Sequence, residues 1–303
     1  MEKRLTGPGL ATGADTEMLL DVWSRSFGDP APYIRNFLNV LSEPENTVVW
    51  REDGRVVSAA YLLPATLRID QTQYRAYCVT RAATHPDYRR KGFMEQVLRQ
   101  CRTLCEERGI DFLVLSPGTN ELYKYFSRFG YRANFYAKTT VMDREQLAAL
   151  ADRLDPPEER AENTLSAGVP ADLPEIRAAA LSEGAHLDYD AKTLQYLLFE
   201  HVYSGGRTLL LPDGYALYRL SDEDSGEKTL TVRELCSRGT AGTLLRQLLE
   251  TDADRFVLNL PAFDGIRGGR TSSGRAGMDL AVSPEAAKAE RAMKNAYFGL
   301  TLD

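Results

Sequence analysis

The most constraining stretch of the chain is Thr84-His85-Pro86-Asp87-Tyr88-Arg89-Arg90-Lys91-Gly92-Phe93-Met94. It joins two segments of different hydrophobic period. Tyr74 to Thr84 is apolar and β-branched and reads as a strand. From Gly92 to Arg108 the residues Phe93, Val97, Leu98, Cys101, Leu104 and Cys105 recur at the spacing of one helix face. The expected unit is therefore a strand, a short basic turn and the start of a long helix. The first turn of a helix leaves backbone N–H groups without intrahelical acceptors. The helix dipole adds partial positive charge there, and Arg89, Arg90 and Lys91 add full charges. Such a place suits an anion, most simply a phosphate. A solvated charged turn has the same composition, so this motif needs a second feature before it carries a function.

A chain of 303 residues is long enough for two domains, each with its own core. The charged, proline-containing run Asp155-Pro156-Pro157-Glu158-Glu159-Arg160 is the natural linker, giving domains 1–154 and 155–303. A hydrophobic share of 43% and a charged share of 26% describe a globular chain. The net charge of −6 argues against a general nucleic-acid binder. One Arg267-Gly268-Gly269-Arg270 run does not change that, and Ile266 to Gly277 reads as a mobile loop. The four cysteines, Cys78, Cys101, Cys105 and Cys236, form no CxxC pair. They read as buried small hydrophobes in a reduced compartment, and no metal is expected. The N-terminus has no apolar signal core and no run approaches membrane-spanning length, so the expectation is a cytoplasmic protein with no membrane partner.

Helices are expected over Asp15 to Phe27, after Pro30, and over Gly92 to Arg108, Asn120 to Arg128 and Asp143 to Leu154. Strands are expected over Thr47 to Arg51, Arg55 to Ile69 with a break near Pro64, Tyr74 to Thr84, Asp111 to Leu115 and Tyr131 to Met142. Asp53-Gly54 is a two-residue hairpin turn. The order is that of a mixed, mostly antiparallel α/β (α+β) sheet with one β-α-β crossover. The second half repeats this plan in order and length. It has helices at Ala171 to Ser182 and Ala191 to Tyr203, and strands at Arg207 to Leu211, Tyr215 to Leu220 and Lys228 to Cys236. A helix ending near Glu250, a strand from Arg255 to Leu260 and a terminal strand from Ala296 to Asp303 follow.

The second feature is the unit after Ser116-Pro117, where a short helix leads through Phe129-Gly130-Tyr131 into a strand. Together with Arg89-Arg90-Lys91-Gly92-Phe93-Met94 this resembles the GNAT superfamily of acyl-CoA-dependent N-acetyltransferases. That family has [Q/R]-x-x-G-x-[G/A] opening a helix and Tyr-x-x-x-Gly-[Phe/Tyr] ending a later one. Met94 stands where a small residue is usual. The resemblance covers residues 14 to 142. The whole chain looks like the tandem-GNAT arrangement of the enhanced-intracellular-survival type, in which only the first of two GNAT-like domains binds coenzyme. At this length the third, sterol-carrier-like domain of that type is not expected.

The resemblance implies a fold of two tandem GNAT-like domains, acetyl-CoA as co-substrate and a small-molecule amine as acceptor. Backbone amides of Arg90, Lys91, Gly92, Phe93 and Met94 would cradle the CoA pyrophosphate, with charge from Arg89 and Lys91. Ala82, Ala83 and Thr84 would bind pantetheine where the central strands part, one amide there also serving an oxyanion. Asn120 would be a further coenzyme contact. The family's tyrosine, four residues before the glycine, is Phe126 here, which has no proton to give. Tyr123, three residues earlier and on the same helix face, is the expected acid, with Tyr125 turned about 100° away. In the enhanced-intracellular-survival type a terminal carboxylate enters the active site, which makes Asp303 the candidate base. His85 reads as a turn residue, His186 and His201 as surface or helix-face residues, and Glu234 as a structural carboxylate or a cleft residue. The second turn, Ser237 to Gly242, lacks the Arg-x-x-Gly spacing and reads as a helix start that binds no CoA. Loss of the tyrosine leaves an alternative, a GNAT-like CoA-binding protein without turnover.

Overall fold

The computed structural model describes residues 6–155, 172–223, 226–239, 241–261 and 269–301. In chain order the first elements are β1 (Gly7–Leu10), α1 (Thr16–Phe27), α2 (Ala31–Val40), β2 (Thr47–Glu52), β3 (Arg55–Ile69), β4 (Thr72–Thr84), α3 (Phe93–Arg108), β5 (Phe112–Leu115) and α4 (Asn120–Ser127). Then come β6 (Arg132–Asp143), α5 (Arg144–Leu154), α6 (Leu173–Ala180), β7 (His186–Asp188), α7 (Ala191–Tyr203), β8 (Arg207–Leu211) and β9 (Gly214–Asp222). The last are β10 (Lys228–Ser237), α8 (Ala241–Leu249), β11 (Arg255–Pro261), β12 (Arg270–Ala281) and α9 (Pro284–Ala292).

These elements fall into two compact units. One holds the chain up to Thr66, Tyr74–Arg132 and Met278–Ala292, and the other holds Leu67–Gln73, Ala133–Gly277 and the chain from Met293. The expected linker at Asp155 falls inside the second unit, because β6 pairs antiparallel with β11 from Asp143↔Arg255 to Ala137↔Pro261. Pro156 to Arg160 lie outside the described residues.

In the first unit β1, β2 and β3 form an antiparallel run. Asp53 (φ 50°) and Gly54 (φ 82°) make the expected hairpin turn, both left-handed, which is what a tight two-residue turn requires. β4 and β5 are parallel, joined by α3 as crossover. The end of β12, Met278–Ala281, pairs antiparallel with β5. Helices α1 and α2 seal one layer with aromatic packing: Trp23 lies 4.8 Å from Phe37, which lies 5.2 Å from Tyr61. On α3, Val97, Leu98, Cys101, Leu104 and Cys105 are buried, as their spacing predicts. In the second unit β10 and β11 are the parallel pair, with α8 between them in sequence, and β9 and β8 continue antiparallel from β10. Both units thus use one β-α-β crossover in an otherwise antiparallel sheet. All four cysteines are buried, and none forms a disulfide.

Four expectations are corrected. β3 runs unbroken through the exposed Pro64. Arg270 to Gly277 is strand rather than loop; β12 lies beside β6, and a 3.2 Å hydroxyl contact joins Thr271 to Thr140. The described end of the chain makes only isolated bridges, at Ala296 and Tyr297, and Gly299 (φ 71°) turns it out of extended geometry. His186 and His201 are buried, each 2% exposed.

His201 is held by its Nε2–H, which faces the carbonyls of Arg207 and Tyr218, each at 3.1 Å. Its buried Nδ1 has no hydrogen-bond partner. Burial holds its pKa below the usual 6.5; the Arg207 carbonyl opposes the shift, and the charge of Arg233 adds to it. The unfolded chain then binds a proton here more readily than the folded chain, so stability falls as pH drops through about 6.5 and below. Denaturant midpoints of wild type should fall more steeply from about pH 7.5 to about pH 5.5 than those of His201→Gln. Equal slopes would refute this assignment.

Candidate functional site

The paired part of the central parallel strands is short. Ala76, Tyr77 and Cys78 of β4 face Phe112, Leu113 and Val114 of β5, and the ladder ends there among the described residues. β4 continues to Thr84 while β5 stops at Leu115. Between the last rung and the strand end, Arg81 takes a left-handed backbone (φ 47°), uncommon for a residue other than glycine. Its guanidinium lies 5.2 Å over Trp23, with a 2.9 Å bond to the Tyr33 hydroxyl. The far end of β4 is tied to β3 instead. Ser58 Oγ donates to the Ala83 carbonyl at 3.0 Å, and the His85 amide donates to Val57 O at 2.9 Å. Ala82, Ala83 and Thr84 therefore border a gap between two strands of one sheet.

The basic turn follows directly. His85, 3% exposed, caps the single helical turn Pro86–Tyr88 by accepting the Asp87 amide on Nδ1 at 3.3 Å. Its Nε2 lies 3.5 Å from Asp21. Burial pushes the Asp21 carboxyl up, but hydrogen bonds from Arg25 and Arg55 and the charge of His85 outweigh it and hold the group below its ordinary range. His85 is thus a turn residue with both nitrogens engaged. Arg89 donates from Nε to the Thr84 carbonyl at 3.1 Å and braces the turn. Arg90 (φ 64°) and Gly92 (φ 82°) are left-handed. A Cβ on Gly92 would meet nothing within 4 Å, so glycine is favoured there by backbone conformation and not by space. Gly92 is the N-cap of α3 and offers no side-chain cap. By helical geometry the amides of Phe93, Met94 and Glu95 have no acceptor within the helix. The Phe93 ring stacks on Trp50 at 5.1 Å, so only its backbone serves the turn, and the Lys91 ammonium sits 5.2 Å over Tyr88. Arg89, Arg90 and Lys91 are exposed.

After β5, Thr119 caps α4 by accepting the Leu122 amide at 3.3 Å, leaving Asn120 exposed as the first helical residue. Tyr123 and Phe126 are buried on one face of α4, at 6% and 8% exposure. Tyr125 is half-buried against Phe126 and Phe129. Burial, with the nearby charge of Glu95, pushes its hydroxyl pKa up against the opposing charge of Arg128. Gly130 (φ 90°) ends the helical segment.

The second unit has the same strand geometry but a different filling. The β10–β11 ladder ends at Val232↔Leu258, and β10 shifts register between Val232 and Glu234. Glu234 is structural: it accepts from Arg177 at 3.2 Å and from the Tyr215 hydroxyl at 2.7 Å, and all three are buried. A Cβ at Gly299 would come within 2.4 Å of Arg177 Nη2, so the chain closes over this cluster. The start of α8 is occupied by the chain itself. Asp155 accepts the Thr243 amide at 2.6 Å and the Thr243 hydroxyl at 3.0 Å. A Cβ on Gly242 would lie 2.4 Å from the Ala151 carbonyl. Neither the left-handed Arg81 nor the Asp155 cap has a local sequence signal; each is held by partners distant in the chain. Asp303 lies outside the described residues. No cluster of three or more His, Cys, Asp or Glu among the described residues is placed to hold a metal ion. No helix among them is long and apolar enough to cross a membrane.

Residues 10–133 match the acetyltransferase (GNAT) domain. Over the whole chain the fold is similar to that of a GCN5-related N-acetyltransferase from Kribbella flavida, with 17% identity, 92% of this chain and 73% of that one covered and a TM-score of 0.68. A GCN5-related N-acetyltransferase from Anabaena variabilis gives 15%, 93%, 74% and 0.72. Eis1 from Mycobacterium abscessus gives 18%, 93%, 75% and 0.69. No curated protein matches by sequence. At these identities the likeness to solved structures is one of fold. Residues 10–133 thus match a GNAT acetyltransferase domain model, and the fold of the chain is similar to that of Eis1.

Proposed function

We propose that this protein moves an acetyl group from acetyl-CoA to a primary amine of a small molecule by direct attack in a ternary complex. The observation that carries the reading is the uncapped start of α3, with left-handed Arg90 and Gly92, beside the gap where β4 leaves β5. The residues fit the coenzyme. Amides from Arg90 to Met94 face a pyrophosphate with Arg89, Arg90 and Lys91 as counter-charge. Ala82, Ala83 and Thr84 offer extended backbone to pantetheine, and Asn120 opens the neighbouring helix. Bound coenzyme supplies an activated thioester. An amide at the gap gives the carbonyl oxygen a donor where negative charge develops. An alkylamine, of pKa about 10.4, must lose a proton before it attacks, and the departing sulfur must gain one. We assign the second task to Tyr123, on the same buried face of α4 as Phe126, and the first to Asp303.

Phe126 favours a second reading, a CoA-binding protein without turnover, because it stands where the family's tyrosine donates its proton. Thiol release from acetyl-CoA across an amine panel separates the two: coenzyme binding with no release on any amine would support the second. On a productive amine, Tyr123→Phe should lower kcat by about 100-fold, and Tyr125→Phe should leave it near wild type. An unchanged kcat in Tyr123→Phe would remove that residue from the mechanism.

Calorimetry tests the binding half. Gly92→Ala forces a left-handed alanine at about 1–2 kcal/mol and should weaken CoA binding by about tenfold. Wild type should bind one CoA per chain, since Asp155 already fills the start of α8. A second equivalent would contradict that role for Asp155.

A further inference from the structure

A hollow of about 170 Å³ lies along α3 and the end of α4, lined by Arg99, Arg102 and Arg128 over an apolar floor of Leu98, Phe129 and Leu280. We infer that it seats the ribose 3′-phosphate of the coenzyme and so makes the protein choose CoA over acyl carriers that end at phosphopantetheine. The inference rests on the coenzyme reading of the basic turn. Its own support is charge and distance. Arg128 has no carboxylate partner among the described residues; its guanidinium lies 5.8 Å over Tyr125 and 6.0 Å over Phe129. Arg99 pairs with Glu95 at 2.8 Å and Arg102 with Glu106 at 3.0 Å. Both are exposed pairs one helical turn apart, of the weak kind that a phosphate dianion can displace. With the two glutamates counted, the cluster keeps one net positive charge, carried by Arg128.

The position is fixed by α3 itself. At 1.5 Å per residue, Arg99 stands about 10 Å along the axis from Gly92. Its side chain leans back toward the N-terminus, as its bond to Glu95 shows. Only a ribose separates the pyrophosphate of CoA from its 3′-phosphate, so one molecule can place the first on the amides of the turn and the second in the hollow. A free phosphate is the other source of the same chemistry, without the tether.

The test is calorimetry of CoA and 3′-dephospho-CoA on wild type and Arg128→Ala. Wild type should bind CoA about tenfold more tightly or better. Arg128→Ala should lose most of that preference while binding 3′-dephospho-CoA as wild type does, which also shows that the variant is folded. If wild type binds both ligands equally, or if Arg128→Ala keeps the preference, the 3′-phosphate seat is wrong while the coenzyme reading stands. Inorganic phosphate binding to CoA-saturated wild type would likewise overturn it, by making the hollow a separate anion site. If neither CoA nor 3′-dephospho-CoA binds, the coenzyme reading itself fails.

Discussion

The start of α3 is open because no side chain of the described residues caps it. Two left-handed residues, Arg90 and Gly92, turn the backbone so that the helix begins without a capping side chain. Most helices of soluble proteins satisfy their first amides with a Ser, Thr, Asp or Asn side chain. Here α4 and α5 do so through Thr119 and Asp143. The openings of α1, α2, α3 and α6 have no such bond, and what sets α3 apart is the three cations before it, which deepen the field at that spot.

The second unit shows what happens when that opening is closed. It repeats the short parallel ladder and the helix that follows. Yet Asp155 puts a carboxylate on the Thr243 amide in the first turn of α8, where a phosphate would sit. The region beyond its ladder holds Arg177, Glu234 and Tyr215 in mutual hydrogen bonds, with Gly299 packed over them. Removing Arg177 alone would leave the buried Glu234 without its cation, which makes the cluster costly to dismantle. A shared strand plan therefore carries an open helix start in one unit and a sealed polar core in the other.

Much of this was legible in the residues. The period change at Thr84 to Met94, the glycine at Gly92, the Asp53-Gly54 turn and the apolar face of α3 all encode local geometry, and the structure follows them. The errors share a different character. Arg270 to Gly277 carries almost no apolar alternation because its residues are largely exposed, so only pairing with distant strands makes it β12. His186 and His201 are buried by elements remote in sequence, which no window over their neighbours can register. Nor can any local window show that β6 finds its partner in β11, more than a hundred residues later.

By itself, the sequence determined where the basic turn is, which helix follows it and which family of folds can present such a turn. These depend on φ preferences, periodicity and local charge, all properties of a few adjacent residues. Tertiary structure decided that the β4–β5 ladder stops after Cys78, that Tyr123 and Phe126 are buried together, that three arginines converge beside Leu280, and that Asp155 closes the second helix start. Each of these joins residues far apart in the chain. Their energies come from burial and from hydrogen bonds that exist only once the sheet has assembled.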